Sequence, residues 1–306
     1  CECAAEVLSV TFKLKGSGRM KIQKRGLLRS GIITGADKEG QPLHTFAVCA
    51  YKDSPYLEAC IRSLTEQQVK TDVICCTSTP SPYIEKITKK YAVPLYVREG
   101  ESNIREDWLF AWHKAGGRLV TIAHQDDVYR SDYTKELYQA FAKYPDMSVF
   151  VSDYMTLKMT ERGMKTECFN KVWLVKKILR MPLRLKLLSG LRPVKRSSVI
   201  FGNSLCCPAC TYQKELAGEE MFRSRYDFAL DWDNLYELAG QKGRFICVEK
   251  PLIAYRVHEG ATTKACIEDN RRTKDEMAMF EKMWPGWLVK ILMHFYVKAY
   301  DEYGNS

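Results

Sequence analysis

Two short acidic clusters hold the residues of this sequence whose types and spacing are best suited to chemistry. His-Gln-Asp-Asp at 124–127 follows the apolar run at 119–123, and Asp-Trp-Asp at 231–233 precedes a helical pattern at 234–240. A strand that ends in two adjacent carboxylates brings negative charge to the edge of a sheet, where α/β folds hold ligands and where a divalent cation can bind together with phosphate. Adjacent aspartates are also common in turns and helix caps, so the surrounding elements must decide between these interpretations.

The elements around the first cluster alternate between buried strands and helices. Strands are predicted at 46–51, 73–76, 94–97 and 119–123, and helices at 56–66, 83–91 and 105–115. This alternation indicates a parallel sheet wound by crossover connections. The expected fold class is therefore α/β, a mostly parallel sheet flanked by helices, with a helical extension at the C-terminal end.

With these elements in place, the sequence resembles the family 2 glycosyltransferases over roughly residues 45–264. The matching pieces are the strand, turn and helix at 46–67, Asn103, the cluster at 124–127, Ser-Asp-Tyr at 152–154, Leu-Asp-Trp-Asp at 230–233 and the stretch from Tyr255 through His258 to Thr263. The resemblance implies the Rossmann-like GT-A fold. It also implies that a sugar is transferred from a nucleotide-diphosphate donor with inversion at the anomeric carbon, by an enzyme of bacterial type.

The resemblance assigns a metal ion to the first cluster. Mg²⁺ or Mn²⁺ would stabilise the departing nucleotide diphosphate as a Lewis acid. Asp126 is the first candidate ligand, and Asp127 is its neighbour, acting through water or on the ribose. His124 stands where the family's Asp-x-Asp motif usually has its first Asp, which would favour Mn²⁺ over Mg²⁺ or would leave the imidazole to contact only the sugar. His258 resembles a histidine near the C-terminal end of the family's domain that completes the metal or diphosphate site. The alternative is that His258 has no ligand and is an ordinary surface or core residue.

An inverting transfer also needs a general base that removes the proton of the acceptor hydroxyl. By resemblance this base is Asp231, with Asp233 as the alternate. The family often has Glu-Asp here, whereas this sequence has Leu230 before Asp231. The structural alternative is an Asp that caps the helix predicted at 234–240, and both roles are compatible because the helix dipole favours an acid at that end.

The nucleotide-sugar donor is expected at the ends of the first strands. The candidate donor-binding residues are Ala50, Tyr51, Asp53, Thr77, Ser78, Arg98, Asn103, Gln125 and Arg256. The second strand of the family usually ends in Asp-Asp-Gly-Ser-Thr-Asp, but residues 75–80 read Cys-Cys-Thr-Ser-Thr-Pro. The Asp that would accept a hydrogen bond from uracil is therefore absent, and the identity of the nucleotide stays open.

Composition and resemblance together suggest a domain organisation. The 306 residues are 46% hydrophobic, enough for one large core, and contain no apolar run long enough to cross a membrane. We expect an N-terminal extension at 1–44, a nucleotide-sugar-binding half at 45–150, an acceptor-binding half at 151–270 and a C-terminal helical segment at 271–306. The sequence begins with Cys1, so residues 1–19 are either upstream translation or a fragment edge, and Met20 is a plausible start.

A basic amphipathic insertion is predicted at 168–214. It holds ten Lys or Arg and no acid, which equals the formal net charge of +10 of the chain, and its bases interleave with aliphatic residues. Such a pattern is typical of helices on an anionic membrane surface, and the alternative is a solvated basic face packed on the core. Nucleic acid is not an expected partner, because the bases do not alternate with stacking aromatics and no binding motif is present. The aromatic stretch at 284–287 is expected to pack on the core, and the alternative is a second interfacial element or a lid on the acceptor side.

The expected function is an inverting glycosyltransferase acting on a saccharide or lipid-linked acceptor in cell-surface polysaccharide synthesis. Twelve cysteines without a secretory signal indicate reduced thiols, so the expected location is cytoplasmic, with the inner face of the membrane as a peripheral site. One alternative is a nucleotide-sugar-binding relative without transferase activity. The other is a nucleotidyltransferase, which would usually have a Gly-rich loop where residues 51–55 read Tyr-Lys-Asp-Ser-Pro.

Overall fold

The structure, a computed structural model, describes residues 40, 42–160, 163–167, 171–258 and 270–298. The expectations for residues 1–39, for the stretch at 259–264 and for the end of the chain after 298 lie outside the described residues. The strands are β1 His44–Ala50, β2 Asp72–Thr77, β3 Leu95–Val97, β4 Leu119–His124, β5 Val128–Tyr129, β6 Met147–Thr160, β7 Gly163–Glu167, β8 Cys210–Gln213 and β9 Arg244–Val257. The helices are α1 Leu57–Thr65, α2 Pro82–Lys90, α3 Ile104–Lys114, α4 Tyr133–Lys143, α5 Lys171–Leu179, α6 Arg192–Arg196, α7 Lys214–Ala217, α8 Leu230–Gly240, α9 Arg271–Met283 and α10 Gly286–Lys298.

The first half of the sheet is parallel, as predicted. Strands β3, β2, β1 and β4 lie side by side in that order, and each pair is parallel. The central strand β1 is buried along almost its whole length, so it appears in the sequence as a continuous apolar run rather than an alternating one. The predicted strands and helices up to residue 124 are confirmed, with bounds shifted by one or two residues, and the α/β class with a mostly parallel sheet is confirmed.

Local capping explains where two of these helices begin. The Ser81 hydroxyl accepts the backbone N–H of Ile84 ahead of Pro82, the first residue of α2. Asn103 does the same for α3, because its side-chain oxygen accepts the N–H groups of Arg105 and Glu106. Both are standard N-cap arrangements that satisfy otherwise unpaired backbone donors.

The second half of the sheet adds longer strands that the sequence did not reveal. Strand β8 pairs antiparallel with both β4 and β6, and β6 runs parallel to β9 over 14-residue strands. The two-residue strand β5 pairs with β9 directly after the first acidic cluster. This pairing brings the end of β9 to the end of β4, although the two lie more than 120 residues apart in sequence.

The C-terminal helices pack against α8. Trp232 of α8 contacts Phe280 of α9 edge to face at 5.1 Å and stacks on Tyr296 of α10 at 6.0 Å between ring centroids. Trp284 stacks on Phe201 and donates its indole N–H to the carbonyl of Ile200. The predicted break of the extension is confirmed, and so is the packing of Trp284 on the core. Trp287 is 67% exposed, so the expected core packing is wrong for that residue.

One predicted helix boundary is wrong. The helix expected at 234–240 begins at Leu230, and its N-cap residue is Ala229. Asp231 and Asp233 thus lie inside the first helical turn and do not cap it, because the interactions at the aromatic Trp232 extend the helix backward. The eight cysteines within the described residues are all free thiols. In the same part of the chain, every helix is too short or too polar to cross a membrane.

Candidate active site

The site lies at the carboxyl edge of the parallel strands. Cys49 of β1 pairs in register with Cys76 of β2 and with His124 of β4, so the residues that follow these three strands emerge together. Gln125 ties two of the loops, since its side-chain oxygen accepts the backbone N–H of Tyr51 and its amide donates to the Tyr51 carbonyl, both at 3.0 Å. The sheet register therefore places the first acidic cluster beside the loop after β1.

His258 and Arg256 join this cluster from the end of β9. The Nε2 atom of His258 lies 3.0 Å from a carboxylate oxygen of Asp126, and the Arg256 guanidinium donates to the Asp126 carbonyl at 2.9 Å. Tyr56 packs against both, with its ring 4.9 Å from the His258 ring and 4.3 Å from the Arg256 guanidinium carbon. Residues that the sequence analysis selected on separate motifs are thus in contact.

Asp127 is fully buried and only half satisfied. Its Oδ1 atom accepts the backbone N–H of Arg256 at 2.9 Å. Its Oδ2 atom is buried and has no hydrogen-bond partner among the described residues, and His124 Nδ1 lies 3.9 Å from it. Burial, and then the charge of Asp126, raise the pKa of Asp127 well above its ordinary value. An unpaired buried carboxylate oxygen is costly, so the site suits a bound cation or proton.

A divalent metal fits this donor set. Among the described residues, ligand atoms of His124, Asp126 and Asp127 lie within 4.8 Å of one another. Burial lowers the pKa of His124, so its imidazole is neutral and can donate a lone pair. Burial alone would raise the pKa of Asp126, but the hydrogen bond with His258 brings it below its ordinary value, so this carboxylate is ionised. Two carboxylates with one imidazole suit Mn²⁺ and are compatible with Mg²⁺.

The remaining donor candidates line the loops after β1 and β2. Asp53 accepts a hydrogen bond from the Ser81 hydroxyl at 2.5 Å, and the Thr79 hydroxyl accepts the backbone N–H of Lys52. The Thr77 hydroxyl in turn accepts the backbone N–H of Thr79. These contacts hold the two loops together, and they leave Ala50 and Tyr51 at the rim of the site, with Tyr51 exposed.

Asp107 organises the loop after β3, and the sequence analysis missed it. Its carboxylate accepts hydrogen bonds from Ser78 at 3.0 Å and from Arg98 at 2.7 Å. Ser102 donates to the same carboxylate. Arg98 and Asn103 therefore contribute to the shape of the loop, and their predicted contact with the donor stays a prediction. The only signal for Asp107 in the sequence was an acid in the first turn of a predicted helix.

The two aspartates of α8 have different surroundings. Asp231 accepts a hydrogen bond from the Asn203 amide at 2.8 Å, and burial raises its pKa to about 6 despite the opposing effects of the backbone N–H of Trp232 and the Lys176 ammonium. Asp233 instead accepts from the Ser224 hydroxyl at 2.6 Å and pairs with Lys282 of α9 at 2.7 Å. Asp231 therefore has the properties of a base that works near neutral pH, whereas Asp233 is engaged in packing.

Cys207 lies between the metal cluster and Asp231. Its sulfur is 3.8 Å from His124 Nε2. Burial and then the Asp231 carboxylate raise the pKa of the Cys207 thiol, and Asp127 adds a smaller effect. Both carboxylates are thus within electrostatic reach of one sulfur atom. The sequence analysis did not identify Cys207, because nothing local distinguishes it from a buried structural cysteine.

Comparison with known proteins decides the family. The sequence profile described as Glycosyl transferase family 2 matches residues 45–204, which is more than half of the chain. The chain belongs to glycosyl transferase family 2. It is accordingly a glycosyltransferase by family and has the GT-A type of fold. A comparison with curated protein sequences found no significant match.

Solved structures of other glycosyltransferases share the fold of this family 2 chain. S. aureus TarS (residues 1–349) in complex with UDP-GlcNAc superposes with a TM-score of 0.52 at 14% identity, covering 84% of this chain and 72% of that one. The mannosyltransferase PcManGT from Pyrobaculum calidifontis in complex with GDP-Man and Mn²⁺ gives a TM-score of 0.52 at 15% identity, covering 85% and 70%. Glucosyl-3-phosphoglycerate synthase from Mycobacterium tuberculosis, with Mn²⁺, UDP and its product, gives 0.50 at 11% identity, covering 86% of each chain.

A capping interaction from α9 holds the N-terminal end of α8. The Asp275 carboxylate accepts the backbone N–H groups of Phe228 at 2.6 Å and Ala229 at 3.3 Å. We expect Asp275→Ala to lower the free energy of unfolding by about 1–2 kcal/mol, because these donors lose their charged acceptor. Thermal unfolding measures the loss, and Asp275→Asn serves as the matched control that keeps one acceptor. An unchanged melting temperature in the alanine variant would show that the cap is unimportant.

Proposed function

We propose that this chain is an inverting, metal-dependent glycosyltransferase that moves a sugar from a nucleotide-diphosphate donor to a saccharide or lipid-linked acceptor in cell-surface polysaccharide synthesis. The proposal rests on one observation: two separate acidic sites lie near the same residue, Cys207. One combines Asp126 and Asp127 with two histidines, and the other is the single carboxylate of Asp231 with its pKa raised to about 6.

The two sites divide the work that an inverting transfer requires. A metal bound by His124, Asp126 and Asp127 would neutralise charge on the diphosphate as it leaves. Asp231 accepts the proton of the acceptor hydroxyl while that oxygen attacks the anomeric carbon from the face opposite the diphosphate. Arg256 is held beside the cluster by the Asp126 carbonyl and Tyr56, and its guanidinium supplies a charge-assisted donor for phosphate oxygens. The ring of Trp108 lies against His124, tilted by 31° with 5.2 Å between the ring centroids.

The donor is proposed to bind along the loops after β1 and β2. Ala50, Tyr51 and Asp53 would contact the base and ribose from β1, and Thr77 and Ser78 would contact them from β2. Because the loop after β2 lacks the family's usual acids, we leave the nucleotide open between uridine and the other common bases. The fold relatives bind UDP-GlcNAc and GDP-Man, which supports a nucleoside diphosphate in general.

Nucleotide release across a panel of sugar donors tests this proposal. Purified protein is incubated with UDP-, GDP-, dTDP- and CMP-sugars, with Mn²⁺, with Mg²⁺ or with EDTA. The proposal predicts that one nucleoside diphosphate is released faster than the others and only when a divalent metal is present. Tight binding of a nucleotide sugar without any release would instead support the alternative of a binding relative without transferase activity.

The pH dependence of the rate follows from Asp231. Because the base must be unprotonated, we expect kcat/KM to fall about tenfold per pH unit below pH 6, near the pKa of Asp231 in the folded protein. The measurement is a pH profile of nucleotide release at constant ionic strength and saturating metal. An acid limb close to pH 4, the ordinary range of an exposed Asp, would rule out a buried Asp231 as the titrating group.

His124 sets the expected metal preference. A neutral imidazole in place of a carboxylate lowers the negative charge of the site and introduces a softer ligand, so we expect higher activity with Mn²⁺ than with Mg²⁺. The variant His124→Asp restores a carboxylate, and we expect it to shift the ratio of the Mn²⁺ to the Mg²⁺ rate toward Mg²⁺ by about 3- to 10-fold. The rate ratio is independent of the amount of active protein. A ratio that does not move would place His124 against the sugar and not on the metal.

A further inference from the structure

Helix α5 leaves one aliphatic face exposed. Leu174, Val175 and Ile178 lie at helical spacing on this face, and each is more than half exposed, at 54%, 55% and 55%. The opposite face is half-buried and carries Val172, Trp173 and Leu179 together with polar groups that point inward. There the indole N–H of Trp173 donates to a carboxylate oxygen of Asp153 at 3.0 Å. A surface helix in a water-soluble environment normally buries its apolar face, so this orientation requires an explanation.

The segment that follows α5 continues the exposed aliphatic surface. Leu187 is 85% exposed, and the backbone around it is held in place rather than left free. The Arg244 guanidinium donates to the carbonyls of Lys186 at 3.0 Å and Leu187 at 3.2 Å. The carbonyl of the buried Ser189 accepts the N–H of Phe245. The fold thus holds an exposed leucine on a loop whose backbone is fixed by hydrogen bonds.

Half of the ten bases in this segment are engaged inside the protein, so the surface of the segment is less basic than its sequence suggests. The bases engaged inside are Arg180 with Asp153, Lys186 with the carbonyl of Cys247, Lys195 with the carbonyls of Gln241 and Gly243, Arg196 over the ring of Tyr236 and Lys214 with the carbonyl of Ala115. Lys171, Arg184 and Arg192 remain exposed, and Arg184 forms an ion pair with the exposed Glu249 of β9. The segment itself contains no acid, so its exposed surface is aliphatic with three cations, one of which is paired with this neighbouring acid.

The inward face of α5 reaches the candidate base. The Lys176 ammonium lies 5.7 Å from the centre of the Tyr154 ring, and its charge acts on Asp231. The exposed apolar face of the same helix therefore lies on the acceptor side of the site. An acceptor held at that surface would have only the thickness of one helix, about 10 Å, between it and the base.

We propose that this interfacial surface docks on an anionic lipid bilayer and delivers a membrane-held acceptor to Asp231. The interfacial surface consists of Leu174, Val175, Ile178, Met181, Leu185, Leu187, Leu188 and Leu191. Exposed aliphatic residues flanked by the cations Lys171 and Arg192 match the boundary between acyl chains and anionic headgroups, where apolar burial and charge attraction act together. The charge of the neighbouring Glu249 is offset by its ion pair with Arg184. The inference rests on the proposed function for the nature of the acceptor, but the docking itself is measurable without it.

Vesicle flotation tests the docking. The full chain is mixed with vesicles of phosphatidylcholine alone or of phosphatidylcholine with phosphatidylglycerol, at low and high salt. We expect binding to the anionic vesicles, weaker binding at high salt, and a loss of about tenfold or more in the partition coefficient for Leu174→Glu/Ile178→Glu. Met277→Glu is the matched control, because Met277 is an exposed apolar residue on α9 at 42%. Leu187→Glu is a second variant on a different element, in case the double variant fails to fold.

Several outcomes of these experiments would contradict the docking proposal. Equal binding to neutral and anionic vesicles, or equal loss in the Met277→Glu control, would overturn it. So would a dimer, detected by light scattering, that the glutamate variants dissociate, because the surface would then contact a second copy. Nucleotide release from a soluble donor is measured on the same samples. Vesicle binding without release would contradict the proposed function alone, and release without vesicle binding would contradict the docking alone.

Discussion

Replacing Asp231 by Asn is expected to abolish transfer while making the protein more stable. The amide keeps the shape of the side chain and can still accept the hydrogen bond from Asn203, but it cannot take a proton. Loss of a positioned general base typically lowers the rate by about 10²- to 10⁴-fold. Donor binding should be retained, because the candidate metal and donor residues lie on other elements. The result expected from kinetics is therefore a fall in kcat with little change in the affinity for the donor.

The stability gain follows from the raised pKa of Asp231. A carboxyl whose pKa is raised to about 6 in the folded state stabilises the fold below pH 4, and this contribution is lost as the pH rises through 6. At pH 7 the ionised, buried group destabilises the fold, and we expect Asp231→Asn to recover about 1–3 kcal/mol. The gain should be absent below pH 4 and complete above pH 6. Chemical unfolding at several pH values measures it.

Asp233→Asn is the matched control. It removes charge from the neighbouring aspartate and weakens the contacts with Ser224 and Lys282, so we expect it to lower stability. Its effect on kcat should be smaller than that of Asp231→Asn. A larger loss of kcat in Asp233→Asn, with activity kept in Asp231→Asn, would assign the base to Asp233.

Replacing Asp126 by Ala is expected to remove the metal and with it most of the activity. The ionised carboxylate of Asp126 is held by His258 at 3.0 Å and is the most strongly acidic group of the cluster. A metal that stabilises the leaving diphosphate contributes several kcal/mol, so its loss should lower kcat/KM by about 10²-fold or more. In contrast to the Asp231 variant, donor binding should also weaken, because the diphosphate loses its cation.

Metal binding is measured separately from activity. Electron paramagnetic resonance of Mn²⁺ titrated into the protein, without donor, counts bound ions directly. Glu58→Ala is a suitable control, since Glu58 is a carboxylate that pairs with Lys90 on the surface. Unchanged Mn²⁺ binding in Asp126→Ala would contradict the assignment of the metal to this cluster, whatever the rate.

The sequence was sufficient to predict the first half of the fold because its signals are local. The run from Phe46 to Ala50 is apolar throughout, as a strand buried on both faces requires, and the positions of the strand ends follow from it. The cluster at 124–127 could therefore be placed at a sheet edge without coordinates. The same reasoning did not reveal the long strands β6 and β9, whose pairing depends on contacts between segments about 100 residues apart.

Site residues could be predicted from the sequence only where they belong to a recognisable motif. His258 and Asp126 were selected independently, but their 3.0 Å contact spans 132 residues and no periodicity encodes it. Asp107 and Cys207 were missed for the same reason, because each contacts residues of other elements that are distant in the sequence or follow a different strand. Asp107 contacts Arg98, and Cys207 lies near His124. The start of α8 was misplaced because the preference of Asp for capping positions outweighed the tertiary packing of Trp232.

The orientation of α5 shows a further limit of composition. Counting bases predicts a basic face but does not show which face is buried. Arg180 points inward because it pairs with the buried carboxylate of Asp153. Lys176 points inward because its ammonium lies over the ring of Tyr154. The aliphatic face is then the one left outside.

The most direct test of the account is the configuration of the first product. Transfer or hydrolysis of the α-linked donor selected by the panel is followed by proton NMR, in the presence of Mn²⁺, before the anomers of any free sugar equilibrate. The account predicts that the β-anomer appears first, that the nucleoside diphosphate is released in equal amount, and that both stop in Asp231→Asn. An α-anomer as first product, or full activity in Asp231→Asn, would contradict the assignment of Asp231 as the base of an inverting transfer.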